Sequence, residues 1–341
     1  MTTAPVRVED WQDTPPPAEL AAGSAPMIDT EDVPACPVCG GEETDDLATG
    51  FDYELQTCKN PWRFARCRGC GHAWLNPRPA VAALPDIYPP TYYAYNYTSQ
   101  INSIARWGKE QLDRRKLGSI LRHLPRTPAS FLDIGCGDGR YLKLMERRGL
   151  LRDRLYGLEL SDAVVAPLAA DGYQVFNQRV ETSTQVSDGS IDLATMFHVI
   201  EHVDDPAAVA RKVAGLLAPG GVFAVETPNL DSLDARLFRN SYWGGYHIPR
   251  HWNLFTPGSL TRLLTDAGLE VRAVRFQTGH SFWMYSVHHA LRYGRRWPWL
   301  ARRFDPLRGL PFLAAFTAFD LARAAVGCRT SAMLVLAAKP G

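Results

Sequence analysis

Short apolar segments alternate with helical segments from residue 129 onward, and this alternation constrains the fold more than any other feature of the chain. The strand-like segments are SFLDIG, RLYGLEL, YQVFN, SIDLATMF, VFAVETP and EVRAVRF, with SAMLVLAAK far downstream. Strands that alternate with helices form a doubly wound, mostly parallel sheet with helices on both faces. We therefore predict a Rossmann-like α/β fold of seven strands, with ligands bound at the carboxyl ends of the strands.

One helix in this region is defined by its ends. Thr256 is suited to the N-cap of the segment TPGSLTRLLTDAG, Pro257 to the first helical position, and Gly268 to the end of the helix. Leucines and an alanine recur at helical spacing between these ends. The segment is therefore predicted to be an amphipathic helix packed on the sheet.

The first strand-to-helix turn, LDIGCGDGR, is rich in glycine. Gly135 permits a sharp turn, and Gly137 and Gly139 leave room for a ligand against the backbone. A glycine loop could also serve NAD. However, Asp133 and Asp138 place carboxylates where a dinucleotide would place its pyrophosphate, and like charges repel. A ligand with an ammonium and a sulfonium group suits the loop better.

Glu159 ends the second strand, in RLYGLEL. At this position in a Rossmann-like fold, a carboxylate can accept hydrogen bonds from both hydroxyls of a ribose. The glycine loop and Glu159 together favour S-adenosylmethionine over a nicotinamide cofactor.

Four of the seven cysteines form two C-x-x-C-G units near the N-terminus, at Cys36 and Cys39 and at Cys67 and Cys70. Two such turns bring four thiolates together around a tetrahedral zinc ion. A redox dithiol would explain only one pair at a time. We therefore predict a closed, structural zinc site made by these four cysteines. Cys58 and His72 are possible substitute ligands, but neither belongs to a C-x-x-C pair.

The string HVIEH, residues 198–202, has the H-x-x-E-H pattern of one group of zinc peptidases. A peptidase site needs His198 and His202 on one continuous helical face. Here the string begins where a buried strand, IDLATMF, ends, which disfavours that interpretation. We expect His198 and Glu201 to border the place where a cofactor and a substrate meet.

Five segments, in order, are similar to the class I S-adenosylmethionine-dependent methyltransferases: FLDIGCGDGR, YGLEL, SIDLATMFHVIEHVDDP, LLAPGGVFAVETPN and RHWNLFTPGSLTRLLTDAGL. The chain most resembles a bacterial group similar to ubiquinone-biosynthesis O-methyltransferases that carries an N-terminal zinc ribbon. The resemblance covers residues 36–280 and the last strand. It implies a cofactor site made by Asp133, Gly135, Cys136, Gly137, Asp138, Gly139, Glu159, Leu160 and Phe197. The acid that binds adenine in the family has no clear counterpart in FNQRVETS.

Three roles are open for the residues of the 198–202 string. An unperturbed imidazole titrates near neutrality, so His198 is a candidate general base for an acceptor hydroxyl. The resemblance also implies a metal site, because related O-methyltransferases bind a divalent cation with E-x-x-E-H. The ligands would be His198, Glu201, His202 and His251, a set that suits softer ions better than magnesium. In the third role, Glu201 caps the next helix and His202 packs in the core.

The chain divides into four predicted parts. Residues 1–33, rich in Pro, Ala and acids, are predicted to be a disordered tail. A zinc ribbon over 34–80 is followed by a Tyr-rich helical connector over 81–127, with a helix in residues 101–124. The methyltransferase domain spans 128–341. Five tyrosines of the connector either cover the next domain or form a lid over a ligand: Tyr88, Tyr92, Tyr93, Tyr95 and Tyr97.

Residues 281–330 are an insertion before the last strand, predicted to form a helical cap. Its 292–319 segment combines arginines and aromatic residues with an apolar stretch. Such a composition is typical of a peripheral membrane contact, of a lid over the substrate or of a homodimer interface. The stretch is too short to span a membrane.

The net charge of +1 and the pI near 7.7 argue against a nucleic-acid partner. The N-terminus has no apolar core of a signal peptide, so we expect a cytoplasmic enzyme, with or without peripheral membrane contact. The expected reaction is methylation of a hydroxyl on a sugar, a lipid-linked saccharide or a natural product. The alternatives are N- or C-methylation, an NAD-dependent oxidoreductase and a non-catalytic binding module.

Overall fold

The structure is a computed structural model that describes residues 8–89, 103–306 and 309–341. Its strands are β1 (Thr30–Glu31), β2 (Thr44–Gly50), β3 (Trp62–Cys67), β4 (Ala73–Leu75), β5 (Arg78–Pro79), β6 (Phe131–Ile134), β7 (Leu155–Glu159), β8 (Gln174–Asn177), β9 (Ile191–Phe197), β10 (Leu217–Pro228), β11 (Asn253–Leu254), β12 (Glu270–Gln277) and β13 (Ala332–Ala338). Its α-helices are α1 (Ala18–Ala22), α2 (Leu84–Ile87), α3 (Ser103–Leu121), α4 (Arg140–Glu146), α5 (Asp162–Ala170), α6 (Pro206–Leu216), α7 (Leu233–Leu237), α8 (Pro257–Asp266), α9 (His280–His289), α10 (Pro298–Ala301) and α11 (Leu310–Ala325).

The main sheet has seven strands in the order β12-β13-β10-β9-β6-β7-β8. The strands from β8 to β10 run parallel, whereas β13 is antiparallel to both of its neighbours. The chain order reverses between β6 and β9, so the connections from their carboxyl ends leave in opposite directions and open a crevice. The predicted Rossmann-like fold is confirmed, and the predicted ligand end of the sheet is this crevice.

The middle of the sheet is the core of the molecule. All residues of β6 and β13 are buried, and so are all of β9 except its last residue, Phe197. Strands covered by helices on both faces are apolar along their whole length, as these are. The predicted helix α8 packs its leucines inward, and Thr256 and Ser259 form a capping box at its start.

The four-stranded sheet of the N-terminal unit is completed by the C-terminal unit. Its order is β11-β4-β3-β2, and β11, which is Asn253–Leu254, pairs antiparallel with β4. The zinc ribbon predicted over 34–80 is therefore not a self-contained sheet. Its edge strand comes from the segment just before α8.

Residues 8–33 are ordered, so the disordered tail predicted for 1–33 is wrong for this part; residues 1–7 lie outside the described residues. Strand β1 pairs antiparallel with β5, and Trp11, Leu20 and Ile28 are buried. The indole of Trp74 donates to the carbonyl of Val33 (2.9 Å). The few apolar side chains of this segment are too far apart to form a periodic pattern, so the sequence does not predict an ordered element. They become buried because they pack on the zinc ribbon.

The connector is only partly described. Helix α3 lies within the predicted helix over 101–124. Tyr88 is described, and its hydroxyl lies 2.9 Å from Nδ1 of His202. The proposed lid tyrosines Tyr92, Tyr93, Tyr95 and Tyr97 fall outside the described residues.

The insertion contains α9, α10 and α11, as the predicted helical cap requires. The buried carboxylate of Asp320 ties α11 to the rest of the fold, since it accepts hydrogen bonds from the backbone N–H of Gly279 (2.9 Å) and from the Trp283 indole (3.2 Å). Among the described helices, none combines the length and the apolar character that crossing a membrane requires.

Candidate active site and metal sites

The glycine loop after β6 is shaped by its three glycines, all with positive φ: +72° at Gly135, +49° at Gly137 and +71° at Gly139. A Cβ at Gly135 would lie 2.3 Å from a methyl of Val199, and one at Gly139 would lie 2.6 Å from Leu168. A Cβ at Gly137 would meet no described atom within 4 Å. The outer glycines therefore serve close packing, and Gly137 faces the space that a ligand can enter.

Glu159 lies where the sequence places it, at the carboxyl end of β7 beside the loop. One carboxylate oxygen accepts from the backbone N–H of Gly137 (3.0 Å) and the other from that of Leu160 (2.8 Å). Each oxygen keeps a further lone pair for a hydroxyl donor. Glu159 therefore holds the loop and can also bind a diol.

Asp133 is buried at the end of β6 and accepts a hydrogen bond from the hydroxyl of Thr195 (2.7 Å). Its burial, together with the nearby carboxylates of Glu159 and Asp138, raises the pKa of Asp133 to about 7. The loop is thus crowded with acidic groups, which a bound cation would relieve. This favours a cationic ligand over a pyrophosphate.

Cys136 belongs to the predicted cofactor set, but its side chain points into the fold. A Cβ at Gly157 would lie 2.9 Å from its sulfur, and the thiol is 5% exposed. Burial raises its pKa well above the ordinary range, so the sulfur stays a neutral thiol. Any contact of Cys136 with a ligand is therefore left to its backbone.

A buried ion pair that the sequence analysis missed lies beside Phe197. The ammonium group of Lys116, from α3, bonds to the carboxylate of Glu226 and lies 4.6 Å from the ring centroid of Phe197. Glu226 is an acid near the carboxyl end of the mostly apolar strand β10. An isolated acid at this end of a buried strand is a sequence pattern that predicts a functional residue. No sequence pattern marks Lys116, because its contact with Glu226 depends on how α3 packs against the sheet.

His198 lies between two carboxylates at the end of β9. Its Nδ1 is 3.3 Å from Oε1 of Glu201, and its Nε2 is 3.3 Å from Oε1 of Glu226. Burial opposes the charged form, but the hydrogen bonds and charges of both acids outweigh it and raise the pKa of His198 to about 9. This shift favours the imidazolium form of His198, so its predicted role as a general base requires a change in its surroundings.

Glu201, His202 and His251 form a cluster whose potential ligand atoms all lie within 4.8 Å of one another. Nδ1 of His251 donates to the carbonyl of Gly245 (2.8 Å), and Nδ1 of His202 lies 3.0 Å from the carbonyl of Arg250. Nδ1 of His202 also lies 2.9 Å from the hydroxyl of Tyr88. A carbonyl can only accept, so the contact with Gly245 places the proton of His251 on Nδ1 and leaves its lone pair on Nε2. Histidines that bind metals are oriented in this way.

The charges of the cluster also suit a metal ion. Burial lowers the pKa of His202 to about 4 and that of His251 well below the ordinary value, so both rings are neutral, as metal ligands must be. His198, which was a member of the predicted four-ligand set, is not part of this cluster. It is bonded to the two glutamates instead.

Glu201 does not cap the helix that follows it, which contradicts one of the three predicted roles. The N-cap of α6 is Asp205, whose carboxylate accepts from the backbone N–H of Ala208 (2.8 Å). The two Glu201 oxygens contact His198 and the hydroxyl of Thr227 (3.0 Å). The direction of the turn after β9 points this carboxylate into the molecule rather than along the helix.

The sulfurs of the four cysteines in the two C-x-x-C-G units converge as predicted. Sγ of Cys36 is 3.6 Å from that of Cys70, and Sγ of Cys39 is 3.5 Å from that of Cys67. Zinc–sulfur bonds of about 2.3 Å in a tetrahedral site require sulfurs about 3.8 Å apart. The set can therefore hold a zinc ion. Within the described residues, Cys58 and His72 are not part of it.

Buried contacts connect the N-terminal unit to the segment that carries His251. The guanidinium of Arg250 forms a bidentate pair with Asp52 (3.1 and 2.9 Å), and neither side chain is exposed. Asn253 in β11 lies 3.1 Å from the ring of His72. The ribbon and the cluster of Glu201, His202 and His251, which we call the 201–251 cluster, are thus parts of one packed structure.

A groove of about 250 Å³ lies beside the glycine loop, between α3 and α4. Its lining contains five basic side chains and two acidic ones; they are Arg106, Lys109, Arg140, Lys143 and Arg147, with Glu110 and Asp138. The carboxylate of Glu110 is already paired with Arg114 and Arg147. The lining is therefore net basic and can attract an anionic group, although Arg140 is already paired with Asp113 (3.1 Å) and Arg147 with Glu110 (2.7 Å).

Comparisons with known proteins show what the chain is similar to. A family model described as a methyltransferase domain matches residues 109–274. A ubiquinone biosynthesis O-methyltransferase of Neisseria meningitidis serogroup C (strain 053442) is 29% identical over 179 residues, which cover 48% of this chain and 74% of that protein. Its namesake in Xanthomonas euvesicatoria pv. vesicatoria (strain 85-10) is 30% identical over 173 residues, covering 47% and 70%. The solved structure of a SAM dependent methyltransferase from Archaeoglobus fulgidus aligns with 67% of this chain and 94% of its own, at 15% identity and a TM-score of 0.44.

Proposed function

The chain belongs to the S-adenosylmethionine-dependent methyltransferases, and we propose that it methylates a hydroxyl group of a small-molecule acceptor. S-adenosylmethionine would supply a methyl group bound to a sulfonium. The acceptor oxygen would bond to the methyl carbon in line with the breaking carbon–sulfur bond, and the sulfur would leave as the thioether of S-adenosylhomocysteine. Acceptors in keeping with the sequence are a sugar, a lipid-linked saccharide or a natural product. Relatives named as O-methyltransferases support transfer to oxygen rather than to nitrogen or carbon.

The observation that carries this proposal is the cluster of His198, Glu201 and Glu226 beside the glycine loop. An acceptor hydroxyl must lose its proton as the new bond to carbon forms. The carboxylates of Glu201 and Glu226 favour the protonated form of His198, but a cationic cofactor nearby would disfavour it. We infer that His198 becomes an available base once the cofactor is in place, with Glu201 and Glu226 orienting its ring.

A divalent ion held by Glu201, His202 and His251 is the second candidate for activating the acceptor. It is favoured by the backbone carbonyl of Gly245, which fixes the tautomer of His251. Two nitrogens and one carboxylate suit zinc, manganese or iron better than magnesium. Such an ion would lower the pKa of a hydroxyl bound to it and so reduce the need for a protein base.

The basic groove between α3 and α4 favours one acceptor class over the others. An acceptor with a phosphate or diphosphate, such as a lipid-linked saccharide, would place that anion against the arginines and lysines of the groove. A neutral phenol would bring no negative charge to this net basic lining. We therefore propose a phosphate-bearing acceptor.

The test is transfer of labelled methyl groups from S-adenosylmethionine into fractions of a cell extract, by wild-type protein and by three variants. We expect His198→Ala to lose transfer while its affinity for S-adenosylhomocysteine stays unchanged. His123→Ala, outside the crevice, is the matched control and should keep both. His251→Gln, with and without a chelator and added manganese, tests the metal.

The results separate the two candidates. Transfer that survives chelation and His251→Gln but not His198→Ala supports the base. Transfer lost on chelation and restored by manganese assigns the role to the ion. Full transfer by both variants would contradict both candidates, and tighter binding of NAD than of S-adenosylhomocysteine would refute the proposed cofactor.

A further inference from the structure

Helix α11 exposes an apolar face that the fold does not cover. Its sequence, LPFLAAFTAFDLARAA, has only two charged residues, Asp320 and Arg323, and their side chains are 0% and 16% exposed. The apolar residues on the outside are more open. The exposed fractions are 41% for Leu310, 37% for Phe312, 42% for Phe319, 48% for Leu321 and 78% for Val326 just beyond the helix. A continuous apolar surface of this kind marks a docking site.

A basic and aromatic edge adjoins this face along the chain. Trp297 and Trp299 are 47% and 66% exposed, and the guanidinium of Arg295 lies 5.6 Å from the ring centroid of Trp297. Four exposed arginines of this edge form no ion pair with any described residue; they are Arg295, Arg296, Arg302 and Arg303. We call residues 295–303 and the outer side of 310–326 the insertion face.

The charge of the insertion is strongly asymmetric. Residues 281–330 contain eight arginines and two aspartates, a net charge of +6 in a chain whose total is +1. One of the two aspartates is Asp320, which is buried. Arg292, Arg323 and Arg329 are paired with acids, so the positive charge of the insertion face comes from the four exposed arginines of residues 295–303.

We propose that the insertion face docks on the surface of an anionic lipid bilayer. Exposed arginines are attracted to anionic headgroups, tryptophan favours the interface between headgroups and acyl chains, and an apolar helix face can enter it without leaving a charge unpaired. A second copy of the chain is a poorer partner, because a two-fold contact presents this surface to itself. Its arginines would then face a surface of the same sign.

The docked helix is linked to the active site through α9. Trp283 of α9 stacks on Phe316 of α11 with ring centroids 5.5 Å apart, and the neighbouring Phe282 lies 6.1 Å from the ring of His198. A lipid-linked acceptor could pass from the bilayer to the crevice along this helix. That consequence rests on the proposed function, whereas the docking itself does not.

Vesicle co-sedimentation of the full chain tests the charge. Wild-type protein should sediment with vesicles of phosphatidylcholine and phosphatidylglycerol, and much less with phosphatidylcholine alone. The variant R295Q/R296Q/R302Q/R303Q should bind the anionic vesicles at least about tenfold more weakly. The matched control R126Q/R152Q/R262Q/R272Q removes four exposed arginines elsewhere and should bind like the wild type.

A second pair of variants tests the apolar surface. W299S/L321S should weaken vesicle binding, whereas W107S/L151S, which changes equally exposed residues of α3 and of the turn before β7, should not. Binding of S-adenosylhomocysteine shows that each variant is folded. The proposal is overturned if the wild type ignores anionic vesicles or if each control loses as much binding as its partner. It is also overturned if W299S/L321S abolishes a dimer in solution instead. A failure of methyl transfer leaves these outcomes unchanged.

Discussion

At the scale of single residues, the buried carboxylate of Asp133 lowers the stability of the fold at the predicted cofactor site. Its pKa of about 7 is raised from 3.8, first by burial. The unfolded chain therefore loses this proton at a lower pH than the folded protein does. Ionisation of this carboxyl therefore lowers the free energy of unfolding progressively from pH 4 upward, and the loss is complete above pH 7.

Asp133→Asn should therefore raise the free energy of unfolding at pH 8 by about 2–4 kcal/mol and have little effect at pH 4. The affinity for S-adenosylmethionine should fall in the same variant, since a carboxylate beside the cofactor's ammonium is lost. Urea unfolding at both pH values, with calorimetric titration, measures both effects. A variant less stable than wild type at pH 8 would contradict the assigned cost.

Glu159 is expected to bind the cofactor's ribose as well as the loop. Glu159→Ala should weaken binding of S-adenosylhomocysteine by about 1.5–3 kcal/mol, because charge-assisted hydrogen bonds to two hydroxyls are lost. Glu270→Ala, an exposed acid in β12, is the control. Unchanged affinity in Glu159→Ala, measured by calorimetric titration, would mean that the end of β7 does not reach the ribose.

At the scale of elements, the turn between β2 and β3 is fastened to the segment before β11 by the pair of Asp52 and Arg250. Burial alone would raise the pKa of Asp52, but Arg250 holds it below the usual value. Asp52→Ala leaves a buried guanidinium without its partner and should cost about 3–5 kcal/mol. The stabilisation by Asp52 should also be lost as the pH falls through its lowered pKa.

Asp45→Ala is the matched control, because Asp45 and Arg68 form an exposed pair in the same unit. Such pairs add little to stability, so its urea midpoint should stay near that of the wild type. Equal midpoints for Asp52→Ala and Asp45→Ala would show that the buried pair does not hold the two units together.

At the scale of the whole molecule, the zinc site should stabilise the distant 201–251 cluster. We expect one zinc per chain. Its removal, or Cys39→Ser, should loosen the ribbon sheet, including β11, and with it the adjacent His251. The glycine loop lies in the main sheet, so binding of S-adenosylhomocysteine should persist. Metal analysis and hydrogen exchange across 245–256 measure this, and native protein without zinc would refute it.

The sequence by itself determined what depends on neighbours along the chain. Strand and helix periodicity predicted the seven-stranded sheet, the capping residues predicted α8, and the two C-x-x-C-G units predicted four converging sulfurs. These features are local, because a helix end, a tight turn or a C-x-x-C pair is made by residues only a few positions apart.

Only the tertiary structure decided what depends on residues far apart in the chain. The pKa of His198 is raised by Glu201 nearby in the chain and also by Glu226, which lies on another strand. Glu226 is in turn paired with Lys116 from a helix before the sheet. Strand β11 belongs to the sheet of the ribbon, and residues 8–33 are ordered by the surface that they cover. Burial and charge act through space, so no pattern within one segment can predict them.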